Sequence, residues 1–232
     1  MKKTTFQFLF MSALAALVLS ACNKKENIKE AYPDAYIKSV ISGGQPVFFI
    51  YHYVYSYDAM SSVETVDAAG KSRLLDNYLN GGLSFTGESE RTAIPPISDT
   101  FRFNVTFSNG ELKQYLDVVP GDYLVPAQNL SAAKISDTNG NYVKVTWSKV
   151  TGATAYQVNV FSNSKNIFST DLFYFKDTTI NPYYNIDLNY FTNYLPGTFS
   201  IEISALKVEN NPDFTYQFDA VSIASTSLTI DR

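Results

Sequence analysis

His52 is the only histidine in the 232-residue chain and Cys22 the only cysteine. A metal site of His and Cys ligands needs more of them than the chain has. A Ser-His-acid triad on His52 needs an exposed serine, and no Gly-x-Ser-x-Gly elbow presents one. His52 also alternates with Phe48, Ile50 and Val54, so it shares the apolar face of a strand and reads as a core histidine. No glycine-rich phosphate loop occurs. Glu88 and Glu90 share a face of a polar stretch, as a glycosidase pair would, but so do many exposed acids. Asp137-Thr138-Asn139-Gly140-Asn141 sets oxygen-bearing side chains around a glycine, in the manner of a calcium loop. It lacks the closing bidentate glutamate and sits where a turn between strands belongs, so it reads as a turn. No catalytic residue, metal or cofactor is expected.

The remaining chemistry is aromatic, with 17 Tyr and 17 Phe. Tyr51, Tyr53, Tyr55 and Tyr57 alternate along one run and would form a stripe on the face opposite His52. Phe173, Tyr174, Phe175, Tyr183 and Tyr184 make a second group among turn residues. A tyrosine has an apolar body and a polar tip, which suits stacking on a sugar or anchoring a protein partner. The same rings could equally fill cores and the seam between two domains.

At the N-terminus Lys2 and Lys3 precede an almost wholly apolar run from Phe6 to Leu19. That length suits a signal-peptide core and falls short of the ~20 residues needed to span a bilayer. Leu19-Ser20-Ala21-Cys22 then resembles the lipobox of bacterial lipoproteins. The resemblance implies that residues 1–21 are removed and that Cys22 carries the lipid. It also implies an acyl chain on the new N-terminus, and two or more chains give stable anchoring. Lipidation would also account for a lone cysteine in an exported protein, where a free thiol is a liability. An Asp after the cysteine would resemble the inner-membrane retention signal of some lipoproteins, so Asn23 in its place implies the outer membrane; cell surface and periplasmic face both stay open.

Loss of Lys2 and Lys3 with the leader takes the side-chain charge from −4 to −6. The basic footprint of a nucleic-acid binder is missing. With 45% apolar residues the chain can build a core. Its wealth of Tyr and Phe and its lack of long helical periodicity point to an all-β protein. Residues 22–34 read as the lipidated cysteine and a polar tether, reaching at most ~40 Å when extended. Residues 35–125 read as an immunoglobulin-like sandwich on strand pattern alone. Its signals are strands over 36–41, 47–57 and 62–66, a Gly43-Gly44 turn, a short helical turn within 71–80, and a hairpin at Asn109-Gly110.

Val125–Leu130 reads as a linker. Beyond it, Tyr142–Phe161 resembles strands B and C of a fibronectin type III domain, with Trp147 on B and Ala153 and Tyr156 opening C. Leu195-Pro196-Gly197-Thr198-Phe199 resembles the entry to strand F, although Phe199 stands where that family usually carries a corner tyrosine. The expected architecture is therefore two β-sandwiches in tandem, 35–125 and 126–232, behind a lipidated tether. The expected function is a non-catalytic, lipid-anchored envelope protein that binds or interacts. The alternative is a glycan-binding accessory lipoprotein of an outer-membrane polysaccharide uptake system. The expected partners are the membrane and either a polysaccharide or an envelope protein.

Overall fold

Period-two alternation of apolar and polar side chains builds most of the protein. The computed structural model describes residues 29–78, 81–138, 140–174, 181–209 and 217–231. The leader with Cys22, Asn139 and Phe175 lie outside the described residues. The first half forms β1 (Ala31–Ser42), β2 (Gln45–Ser56), β3 (Met60–Val66), β4 (Ser72–Leu74), β5 (Asp76–Asn77), β6 (Ser84–Glu88), β7 (Asp99–Phe107) and β8 (Leu112–Val119). The second half forms β9 (Ser131–Asp137), β10 (Gly140–Thr146), β11 (Ala155–Ser162), β12 (Lys165–Ser169), β13 (Tyr183–Asp187), β14 (Gly197–Val208) and β15 (Phe218–Ile230). A 3-10 helix, Leu188–Tyr194, joins β13 to β14. No helix among the described residues is long and apolar enough to cross a membrane.

The fold is all-β, with sheets facing one another across two cores. In the second half, β9-β10-β13 lies over β12-β11-β14-β15, the strand order of a fibronectin type III-like sandwich. Val143, Val145 and Trp147 are buried, as are Tyr156, Val158 and Val160. Trp147 packs on Tyr156 with ring centroids 5.5 Å apart. Phe199, where a corner tyrosine would stand, is buried and meets Phe191 edge-on at 4.9 Å. A hydroxyl is supplied elsewhere: the Val150 N–H donates to Tyr156 Oη at 3.0 Å. Tyr156→Phe should therefore cost about 1–2 kcal/mol, because it leaves a buried amide unpaired. Urea denaturation measures this, and an unchanged midpoint would contradict it.

In the first half, β1-β2-β6-β5 faces β4-β3-β7-β8. Phe103, Phe107, Val63, Val54 and Ile37 fill the space between them. Gly43 and Gly44, both at positive φ, make the tight β1–β2 turn. The β7–β8 hairpin turns at Asn109-Gly110, but only Gly110 is left-handed (φ 87°). The Phe107 N–H reaches Glu111 O, and Asn109 Oδ1 accepts from the Glu111 N–H. This is the longer loop with a left-handed glycine, so Asn109 contributes a side-chain acceptor rather than a positive φ.

The two halves are not beads on a string. β1 pairs with β15 in parallel, Ile37–Val40 against Ala220–Ile223. One eight-stranded sheet, β12-β11-β14-β15-β1-β2-β6-β5, thus backs both cores. Ser39 and Ser222 face each other in that register, and both are buried. Ser39 Oγ donates to the carbonyl of Leu124 at 2.6 Å. Leu124 lies between β8 and β9 and packs in the second core, so the connecting segment is itself part of the joint.

Two local expectations are corrected. Residues 71–80 hold no helical turn among the described residues: β4 pairs with β3 and β5 with β6, and Leu75 between them is buried. Edge pairing there overrides a weak local propensity. The expected tether also loses its last four residues, because β1 begins at Ala31 and Ala31–Asp34 pair with Tyr53–Ser56. Polar composition hid a strand whose amides are satisfied on both sides. The Ala31 N–H donates to Tyr115 Oη at 3.0 Å, and the Ala35 N–H to Asp117 Oδ2 at 2.6 Å.

Candidate functional site

On the face of the eight-stranded sheet away from both cores, alternate residues of the central strands line a groove of about 790 Å³. That volume lies within the range of small-ligand sites. Tyr36 and Lys38 come from β1, Tyr51 and Tyr53 from β2, and Leu206 and Val221 from β14 and β15. The groove therefore straddles the parallel β1–β15 junction and belongs to both halves. Tyr78 and Tyr174 stand at its margins, each more than half exposed. Its floor is ordered by ring contacts: Tyr36 lies 5.4 Å from Tyr51 and 5.7 Å from Phe218. Lys38 Nζ sits 4.4 Å from the centroid of the Tyr51 ring, a cation–π distance.

Burial shifts the titrating groups of the groove toward their uncharged forms. Burial raises the pKa of Tyr36, Tyr51 and Tyr53, so their hydroxyls stay protonated and can both donate and accept. Burial lowers the Lys38 pKa. At one end of the groove Asp34 is buried, and its pKa is raised well above the usual carboxylate range, first by burial and then by repulsion from Asp117 and Glu209. Glu209 is pushed up to about 7 by burial and by Asp117 and Asp219. Among the described residues, Asp34, Asp117 and Glu209 form the cluster that could hold a metal.

The two aromatic groups named in sequence divide between site and core. Tyr51, Tyr53 and Tyr174 meet in the groove. Tyr55 lies further along β2 and packs edge-on against Tyr57, 5.1 Å away, which is 78% exposed just beyond the strand. Phe173 and Tyr184 pack on the second core with centroids 5.3 Å apart. Phe173 also exchanges two backbone hydrogen bonds with Tyr156. Tyr183 points the other way from Tyr184, with Lys144 Nζ 5.2 Å from its ring. Phe175 and Cys22, the expected lipidation residue, fall outside the described residues. Sequence reasoning missed Tyr36, Tyr78 and Phe218. Tyr36 carries the same alternation signal as Tyr51, but its place beside Phe218 follows from a pairing of strands about 180 residues apart.

The other candidates stay apart from the groove. His52 is 2% exposed on the opposite face of the sheet, against Phe101 at 4.8 Å and Phe103 at 6.0 Å. Glu88 pairs with Arg91, and Glu90 is exposed. In the β9–β10 turn, Asp137 accepts a hydrogen bond from the Tyr142 hydroxyl at 2.9 Å.

No family model and no curated protein matches the chain. Among solved structures, the crystal structure of the chicken CNTN1 FN1–FN3 domains aligns over 86% of this chain and 67% of that one, at 7% identity and a TM-score of 0.29. A likeness of that size assigns no function, and the fold stands on the strand order described above.

Proposed function

We propose that this chain is a non-catalytic, lipid-anchored binding protein of the bacterial outer membrane, and that the groove across the β1–β15 junction is its ligand site. The observation that carries this reading is the lining of the groove. Tyr36, Tyr51 and Tyr53, whose hydroxyls stay protonated, line it together with Lys38 and the apolar side chains of Leu206, Val221 and Ile223. The motif Leu19-Ser20-Ala21-Cys22 supports the anchor. A groove of tyrosine faces and hydroxyls suits a neutral glycan, whose rings stack on aromatics while its hydroxyls take up hydrogen bonds. A glycan-binding accessory protein of a polysaccharide uptake system is therefore the form of this function that the groove favours.

Two experiments test it. On a glycan array with the chain from residue 23 onward, neutral polysaccharides should bind. Tyr51→Ala together with Tyr53→Ala should weaken binding about tenfold or more, a loss of some 1.4 kcal/mol or greater. Tyr183→Ala, outside the groove, should change nothing. Absence of binding across diverse polysaccharides would remove the glycan reading. For the anchor, Cys22→Ser should abolish acylation and move the protein from the membrane fraction to the soluble one. Unchanged fractionation would remove the lipobox reading.

A further inference from the structure

Asp34 on β1, Asp117 on β8 and Glu209 just after β14 each offer a carboxylate oxygen, and the three atoms lie within 4.8 Å of one another. Nothing in the sequence draws these residues together; the fold does so where the two sandwiches meet. A second observation is independent of their spacing. Asp34 is 4% exposed, and although its Oδ2 accepts from the Phe218 N–H at 3.2 Å, its Oδ1 is buried with no hydrogen-bond partner. A buried carboxylate oxygen left bare costs heavily unless a proton or a cation meets it. Lys207, two residues before Glu209, is engaged by Asp122 and Asp219. Asp219 adds its negative charge to the field on all three carboxylates.

The donor set consists of hard oxygens. Calcium holds oxygens at about 2.3–2.6 Å, so three of its ligands can stand up to about 4.5 Å from one another, close to the spread of this trio. Magnesium demands a tighter octahedron at about 2.1 Å and keeps more of its water. Asp117 already accepts from the Ala35 and Val118 amides, which fixes the carboxylate in place. We propose that Asp34, Asp117 and Glu209 form a calcium site that clamps β1 and β8 of the first sandwich to the end of β14 in the second. The site adjoins the groove through Asp34, and its role is to neutralise the joint and stiffen it.

The test uses the full chain in detergent, stripped of metal with a chelator and titrated with calcium by calorimetry, with thermal unfolding in parallel. One calcium should bind with a Kd of about 10⁻⁴–10⁻³ M or tighter, the range of extracellular calcium modules. It should raise the unfolding midpoint, and magnesium should do so less. Asp34→Asn should abolish binding, and Glu209→Gln, at the half-exposed rim, should weaken it at least tenfold. Both variants relieve repulsion, so without calcium they should unfold no earlier than wild type, and with calcium they should fall behind it. Asp137→Asn, in the β9–β10 turn, should bind as wild type does. No heat and no shift in wild type up to about 10 mM calcium would overturn the proposal, as would undiminished binding in both variants. Should Asp34→Asn fail to fold, Glu209→Gln alone decides between the outcomes.

Discussion

Phe103→Ala, deep in the first core, is expected to lower the unfolding midpoint reported by Trp147, deep in the second. Both side chains are essentially buried, yet they belong to different clusters. Removing a buried phenylalanine leaves a cavity and typically costs 3–5 kcal/mol. Two sandwiches joined only by a linker would confine that loss to the first. Here β1 hydrogen-bonds to β15 and Leu124 is shared at the joint, so one transition should carry both halves. Trp147 is the only tryptophan, which makes its fluorescence a reporter of the second core alone. Denaturation followed at Trp147 should show the whole loss in the Phe103→Ala variant. A Trp147 transition that does not move, beside an earlier one seen by circular dichroism, would show the halves to be independent.

Acid should weaken the fold through His52. Burial, with a smaller push from Arg73, lowers its pKa from 6.5 to about 4. Between those values the unfolded chain binds a proton that the folded chain refuses. Stability therefore rises with pH across that window and is lost on acidification. At 1.36 kcal/mol per unit the full effect is roughly 3 kcal/mol, reached below about pH 4. Asp34, Asp117 and Glu209 have raised pKa values and act with the opposite sign, so the curve of the intact protein mixes both. His52→Leu isolates the histidine. It also removes an Nδ1 that has no partner in the core. The stability of the variant relative to wild type should grow by roughly 3 kcal/mol from pH 7 to pH 4. Parallel pH curves for the two proteins would refute a neutral, buried His52.

What could be read in the sequence was what depends on near neighbours. Phe48, Ile50, His52 and Val54 face inward because alternation fixes the face of a strand, and the tyrosines between them face outward for the same reason. Val143, Val145 and Trp147 opposite Tyr156, Val158 and Val160 were legible as a sandwich core on the same grounds. The Asn109-Gly110 hairpin was legible from turn chemistry, though the conformation of Asn109 was not. Whatever depends on long-range pairing stayed hidden. The Tyr36–Phe218 contact, the groove over it and the Asp34–Asp117–Glu209 cluster all depend on which edge of β1 meets which partner. No local pattern distinguishes that edge, since Ala31-Tyr32-Pro33-Asp34 looks like linker until Tyr115 and Asp117 are seen accepting from the amides of Ala31 and Ala35. The aromatic groups divided for a related reason: Phe173 and Tyr174 are chain neighbours, but only one ring can point toward the second core.

The parallel union of β1 and β15 also has a mechanical meaning. The two strands are the first and last among the described residues, and they run in the same direction. A force drawing Ala31 one way and Ile230 the other slides strand along strand. It does not peel them apart from one end. Hydrogen bonds loaded in that direction share the force and must give way together, whereas an antiparallel pair pulled at its open end would unzip bond by bond. Resistance to such a pull is set by the barrier to unfolding rather than by overall stability. The seam that joins the two cores is therefore also placed to hold the ends of the fold under tension.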